Sequence, residues 1–142
     1  MSIPTAVAER ISRRIGPRLS PPAHAAADYL FAASFVTAGL LFWRKHRRAG
    51  LGALTCGAAK LALIAATDYP GLSGNARLVD FHTHGSLELA LAGVVAALPE
   101  LFSFDEHRHF FSVSAAGMTM LHNLTDFHRD DLRKPPRQFR AA

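Results

Sequence analysis

The sequence predicts an all-α protein, namely an integral-membrane four-helix bundle built from two repeated helical hairpins. Three observations lead to this prediction. Charged residues make up only 19% of the 142 residues and are nearly absent from four long apolar stretches. These stretches are separated by short segments rich in charged and turn-forming residues. The polar residues at the ends of the stretches recur about 60 positions apart, so the second half of the chain resembles the first.

Each apolar stretch is near the minimum length of a membrane-spanning helix. A spanning helix needs about 17–25 residues, and we predict spans at about 23–43, 49–67, 83–98 and 109–127. A soluble four-helix bundle is the alternative, and its helices would carry a charged face at helical spacing. The first and fourth stretches have no such face, so the pattern favours a membrane bundle.

The segments that flank the bundle are basic, which gives three predicted regions. In residues 1–20, apolar side chains recur every four positions with arginines between them, as is typical of an amphipathic helix on anionic lipid headgroups. Residues 129–142 contain five Lys and Arg residues and two adjacent prolines, which predicts a flexible basic tail. The transmembrane domain is therefore predicted at residues 21–128.

The distribution of Lys and Arg favours termini in the cytoplasm. With four spans, both termini and the 68–82 loop share one side, which holds ten of these residues against five on the other side. Because these flanking residues explain the net charge of +5, nucleic acid is not expected as a partner. We expect membrane lipids as partners, with a homo-oligomer as a further arrangement, and the cytoplasmic (inner) membrane as the location in a bacterium.

Residues 80–84, Asp-Phe-His-Thr-His, resemble the D-x-H-x-H signature of the metal site in amidohydrolase barrels. Such a (β/α)8 barrel needs at least about 200 residues. This chain has 142 residues and no alternation of strands and helices. The stretch after His84 is rich in Ala and Leu and predicts a helix. The barrel is therefore excluded, and the clustered ligand types need another explanation.

The internal repeat supplies that explanation. An H-x-x-x-[D/E] pair opens the first helix and another opens the third, which places both members of each pair on one helical face. A Thr-Asp-aromatic sequence closes the second and fourth helices. Because each half contains two spans, the repeat is parallel and all four motifs lie on one side of the membrane. The pairs are His24–Asp28 and His84–Glu88, and the helix ends add Asp68 and Asp126.

Two imidazoles and four carboxylates at one end of a bundle predict a metal site. Di-metal carboxylate bundles use a similar set of ligands, although their paired ligands are spaced i,i+3. One or two divalent ions of Zn, Fe or Mn suit such ligands. The alternative is that these residues only cap helices and form turns. Further candidates at the same level are Asp80, His82, His122 and His128.

Lys60 is the one charged residue inside the second apolar stretch. Its ammonium either pairs with Glu88 inside the bundle or extends to the opposite membrane surface. Three functions stay open at this point. The first is a membrane metalloenzyme of unknown reaction, with a haem protein using two of His24, His84 and His122 as a variant. The second is an ion- or proton-handling transport module, and the third is a non-catalytic membrane subunit.

Overall fold

Four α-helices make up most of the computed structural model, which describes residues 19–72 and 78–127. The helices are α1 (Pro21–Trp43), α2 (Arg47–Ala66), α3 (Phe81–Leu101) and α4 (Arg108–Leu124). Two short strands, β1 (Thr67–Asp68) and β2 (Val79–Asp80), lie between α2 and α3. The all-α prediction is confirmed. The predicted basic tail, His128 and residues 1–18 of the predicted N-terminal helix lie outside the described residues.

The helices pack as two hairpins. α1 packs mainly against α2 and α3 mainly against α4, with fewer contacts between the hairpins. The close approach of α1 to α2 depends on Gly39, because a Cβ at that position would lie 2.9 Å from the backbone nitrogen of Leu54. The larger apolar core lies in the half of the bundle that contains the α1–α2 and α3–α4 turns. It includes Phe35, Ala53, Cys56, Val95, Phe111 and Met118.

At the other end of the bundle the chain becomes extended where α2 and α4 end. Thr67 pairs with Val79 in the parallel β1–β2 ladder. In the same way Thr125 forms a parallel bridge with Leu19, whose backbone nitrogen donates to the carbonyl of Leu124 at 2.9 Å. The end of each hairpin is therefore joined to the start of the other. α4 is predicted to reach residue 127 but ends at Leu124, and this difference decides which side chains point inward.

Asp80, a candidate metal ligand, is the N-cap of α3. One carboxylate oxygen accepts from the backbone nitrogen of Thr83 at 2.9 Å, and the other accepts from its hydroxyl at 2.7 Å. These two hydrogen bonds, the backbone one above all, hold the pKa of the Asp80 carboxyl below its usual value. The side chain is exposed and serves to begin the helix.

Two of the described helices, α1 and α2, are long and apolar enough to cross a membrane. This criterion uses only length and composition, and two such helices support a membrane location only weakly. α3 and α4 do not meet it, and α4 has only 17 residues. The four-span membrane bundle is therefore not confirmed and stays a prediction.

The close approach of α1 and α2 makes a matched pair of glycine substitutions informative. Gly39→Ala should lower the free energy of unfolding by about 1–3 kcal/mol, because the new methyl group would press against the backbone of the neighbouring helix. Gly93→Ala is the control, since nothing lies within 4 Å of an added Cβ there. Its higher helix propensity should add up to about 1 kcal/mol. Thermal unfolding in detergent measures both changes, and equal stability of the two variants would contradict the predicted contact.

Candidate metal centre

Four fully buried side chains converge at the end of the bundle where α1 and α3 begin. They are His24 and Asp28 of α1 and His84 and Glu88 of α3. The i,i+4 spacing places each imidazole and its carboxylate on one helical face. One ligand atom from each of the four residues lies within 4.8 Å of the other three. This buried group can hold a metal ion.

The ligand atoms lie at distances that suit a single ion. His24 Nε2 is 3.3 Å from His84 Nε2, 3.1 Å from a Glu88 oxygen and 3.5 Å from an Asp28 oxygen. His84 Nε2 is 3.0 Å from the same Asp28 oxygen. A tetrahedral site with bonds of about 2.0–2.1 Å has corners about 3.3 Å apart. These four separations are close to the edges of such a tetrahedron.

Two threonines fix which nitrogen of each imidazole faces the group. The Thr67 hydroxyl donates its proton to the Leu63 carbonyl at 2.6 Å, so it accepts from His84 Nδ1 at 2.8 Å. The Thr125 hydroxyl donates to the Leu121 carbonyl at 2.8 Å. It therefore accepts from His24 Nδ1 at 2.7 Å. Both Nε2 atoms then present lone pairs to the centre, as they do in histidines that bind metals.

Lys60 lies between the two carboxylates. Its ammonium is 2.6 Å from Asp28 Oδ1 and donates a hydrogen bond to Glu88 Oε1, and all three side chains are fully buried. The predicted ion pair with Glu88 is therefore present, and the alternative of an ammonium at the far surface is wrong. Two carboxylates and one ammonium leave the group with a formal charge of −1 when the imidazoles are neutral.

Tyr69 completes the surroundings of Asp28. Its hydroxyl donates to Asp28 Oδ2 at 2.6 Å, and its ring contacts His84 with centroids 5.2 Å apart. Burial, together with this hydrogen bond to a carboxylate, raises the pKa of Tyr69 far above its usual value. The phenol therefore stays protonated and acts as a donor at any physiological pH. Sequence reasoning noted this residue only as part of a turn and of the repeated motif.

Asp68 and Asp126, two further candidate ligands, lie outside the four-residue group. Successive side chains of an extended segment point to opposite sides, and the backbone is extended at Thr67 and Thr125, the residues that precede these aspartates. Thr67 and Tyr69 are buried and reach the centre, whereas Asp68 between them is only partly buried. The same holds where Thr125 reaches the centre and Asp126 does not. The repeated Thr-Asp-aromatic motif was the signal, but its threonine supplies the contact.

The candidates His82 and His122 also lie outside the group, and both line a cavity beside it. This cavity has a volume of about 360 Å³ and is also lined by Thr125 and Phe127, which contact His24. His122 Nδ1 is buried and has no hydrogen-bond partner among the described residues. Of the ten candidates named from the sequence, the structure thus brings four together and places three, His82, His122 and Asp126, along the cavity beside them.

The two halves of the site correspond residue by residue, with two exceptions. His24, Asp28 and Thr125 have His84, Glu88 and Thr67 as their counterparts. The position of Lys60 in α2 corresponds to Met118 in α4, which is fully buried. The position of Tyr69 corresponds to Phe127, whose ring lies 5.3 Å from that of His24, as Tyr69 lies 5.2 Å from His84. The site is therefore symmetric in its candidate ligands and asymmetric in its surroundings.

The Lys60 ion pairs predict a strong effect on stability when the ammonium is removed. Lys60→Met, which copies the counterpart Met118, should lower the free energy of unfolding by about 3–5 kcal/mol because both carboxylates lose their buried partner. The double variant Lys60→Met/Glu88→Gln should recover part of this loss, because the Asp28 carboxylate still lacks the ammonium. Met118→Leu is the control and should cost less than about 1.5 kcal/mol. Denaturation in detergent with a chelator present measures these changes, and a double variant no better than the sum of the single variants would contradict the pairing.

Comparison with known proteins gives no relative for this chain. No protein-family model matches it, and no curated protein or solved structure matches it significantly. The internal repeat nevertheless allows each residue of one half to be compared with its counterpart in the other half.

Proposed function

We propose that the protein is a small integral-membrane protein that binds one divalent transition-metal ion between His24, Asp28, His84 and Glu88. The observation that carries the proposal is the convergence of four atoms that offer lone pairs, two of them on imidazoles whose tautomers are fixed by hydrogen bonds. Both Nε2 atoms and the two carboxylate oxygens face one another, and each Nδ1 proton is used on a threonine. Apart from the Tyr69 hydroxyl, which donates to Asp28 Oδ2, these atoms face only acceptors, and such an arrangement of buried groups is costly unless a cation lies between them.

The position of Lys60 favours one ion over two. In di-metal carboxylate bundles, carboxylates lie between two metal ions. Here the Lys60 ammonium occupies the place between Asp28 Oδ1 and Glu88 Oε1 where a second ion would bind. Two imidazoles and two carboxylates suit Zn²⁺, Fe²⁺ or Mn²⁺. The ion would supply Lewis-acid chemistry, and the surrounding threonines and Tyr69 would orient its ligands.

The outer surface of the helices supports a membrane location. Only 33% of the apolar 18-residue stretch of α1 is buried, and only 44% of that of α2. The core helices of a soluble protein are mostly buried. All four helices also expose large apolar side chains, and extended apolar surface marks contact with lipid or a partner. Examples are Leu30 and Leu41 on α1, Leu51 and Leu61 on α2, Leu87 and Val94 on α3, and Val113 on α4.

A proton-handling site is the second candidate function. His84 Nε2 lies 3.0 Å from Asp28 Oδ2, a distance at which a protonated imidazole would donate a hydrogen bond. One added proton would also bring the formal charge of the group from −1 to zero. The metal content of the purified protein distinguishes the two functions.

The proposed metal site predicts about one divalent ion per chain in purified protein. His84→Ala and Asp28→Ala should each remove most of the ion, since loss of one ligand from a small set cripples affinity. Asp68→Ala and Asp126→Ala are matched controls and should retain it, because these carboxylates lie outside the ligand group. Elemental analysis by mass spectrometry measures the ratio. Wild-type protein that takes up no Zn²⁺, Fe²⁺ or Mn²⁺, or full retention after His84→Ala, would reject the site.

The four-span arrangement predicts that both termini lie on the same side of the membrane. Single cysteines at Ser2, His46 and Ala142, each in a Cys56→Ala background, should react with an impermeant thiol reagent accordingly. Positions 2 and 142 should be labelled from one side and position 46 from the other. Labelling of positions 2 and 142 from opposite sides would contradict an even number of spans.

A further inference from the structure

The asymmetry between Tyr69 and Phe127 gives the two carboxylates different surroundings. Asp28 Oδ2 accepts from the Tyr69 hydroxyl at 2.6 Å. Glu88 Oε2, its counterpart, has no hydrogen-bond partner among the described residues, because Phe127 carries no hydroxyl. The Glu88 carboxylate is held through its other oxygen by Lys60. Among the described residues, Glu88 Oε2 is therefore the candidate ligand atom that no hydrogen bond holds in place.

The cavity of about 360 Å³ lies on this same side of the centre. Two of its lining residues belong to the wall of the metal centre. Thr125 accepts a hydrogen bond from His24, and the Phe127 ring packs edge-on against the His24 ring. Gly85 makes room for the Phe127 ring, since a Cβ at Gly85 would lie 2.8 Å from that ring. Phe127 thus lies between the cavity and the centre.

The chemistry of the cavity and of the centre favours an anion. Ser86 and Asn123 line the cavity with side chains that can donate hydrogen bonds, and the His122 ring lies beside them. Asp126 is the one acidic side chain in the lining, and it is engaged in another interaction. With a divalent ion bound, two carboxylates and the Lys60 ammonium leave a net charge of +1 in a buried site. One monoanion would neutralise it.

We propose that this cavity binds a small carboxylate, which reaches the metal ion past Phe127 and coordinates it beside or in place of Glu88 Oε2. The inference rests on the proposed metal site and extends it with a ligand class and a route. A carboxylate oxygen enters the coordination sphere, and no bond other than the metal–ligand bond is made or broken. The donors of the cavity hold the second oxygen or the body of the ligand.

Co²⁺-loaded protein in detergent provides the test, because its visible absorption bands report the coordination of the ion. Acetate should change the bands in a saturable way, whereas uncharged acetamide at equal concentration should not. Phe127→Tyr supplies the missing hydroxyl to Glu88 Oε2 and should weaken acetate binding by about tenfold, or about 1.4 kcal/mol.

A pair of variants tests the route without touching the centre. Ser86→Leu narrows the cavity and should weaken acetate binding by about tenfold as well. Ala26→Leu, at the counterpart position on α1, is the control and should leave it unchanged. Bands that do not respond to acetate, or a wild-type response in both Phe127→Tyr and Ser86→Leu, would overturn the inference while the metal site stands. Failure of the wild-type protein to bind Co²⁺ would overturn the proposed function and this inference with it.

Discussion

Two carboxylates buried face to face between four helices set the main constraint on this structure. Removing Asp28 and Glu88 from solvent carries a large cost unless positive charge and hydrogen-bond donors surround them. Lys60 from α2 and Tyr69 beyond it meet part of that need. The positions of α2 relative to α1 and α3 therefore follow from where the ammonium has to lie, and the extended segments after the helices follow from where the other donors have to lie.

The internal repeat duplicates some residues of the site and leaves others without an equivalent. Those that would hold an ion are duplicated, whereas those that set charge and access are not. Lys60 has Met118 as its counterpart, so the centre carries one ammonium and not two. Tyr69 has Phe127, so one carboxylate has a hydroxyl donor and the other has none. A site with identical halves would have two equivalent sides, and these two differences make its sides unequal.

The two helical pairs could be predicted from the sequence because helical geometry alone places residues four apart on one face. The segments after α2 and α4 could not be predicted in the same way. Whether Asp68 or Thr67 points inward depends on the residue at which the helix ends, and periodicity locates a helix end only to within a few positions. Because aspartate is a common metal ligand, the sequence pattern favoured Asp68, although its neighbour Thr67 makes the contact. Lys60 could be identified by its depth, but its second partner, Asp28, required the packing of α1 on α2.

The division of the ligands between the hairpins has a consequence for biogenesis. Each hairpin contributes one imidazole and one carboxylate, and the threonine that orients each imidazole comes from the opposite hairpin. The first hairpin alone would therefore hold Lys60 against Asp28 with an unoriented His24 and half of the ligands. If the protein binds a metal ion as proposed, the ion would bind only after the second hairpin has packed against the first, so a bound ion would report that the whole bundle is assembled.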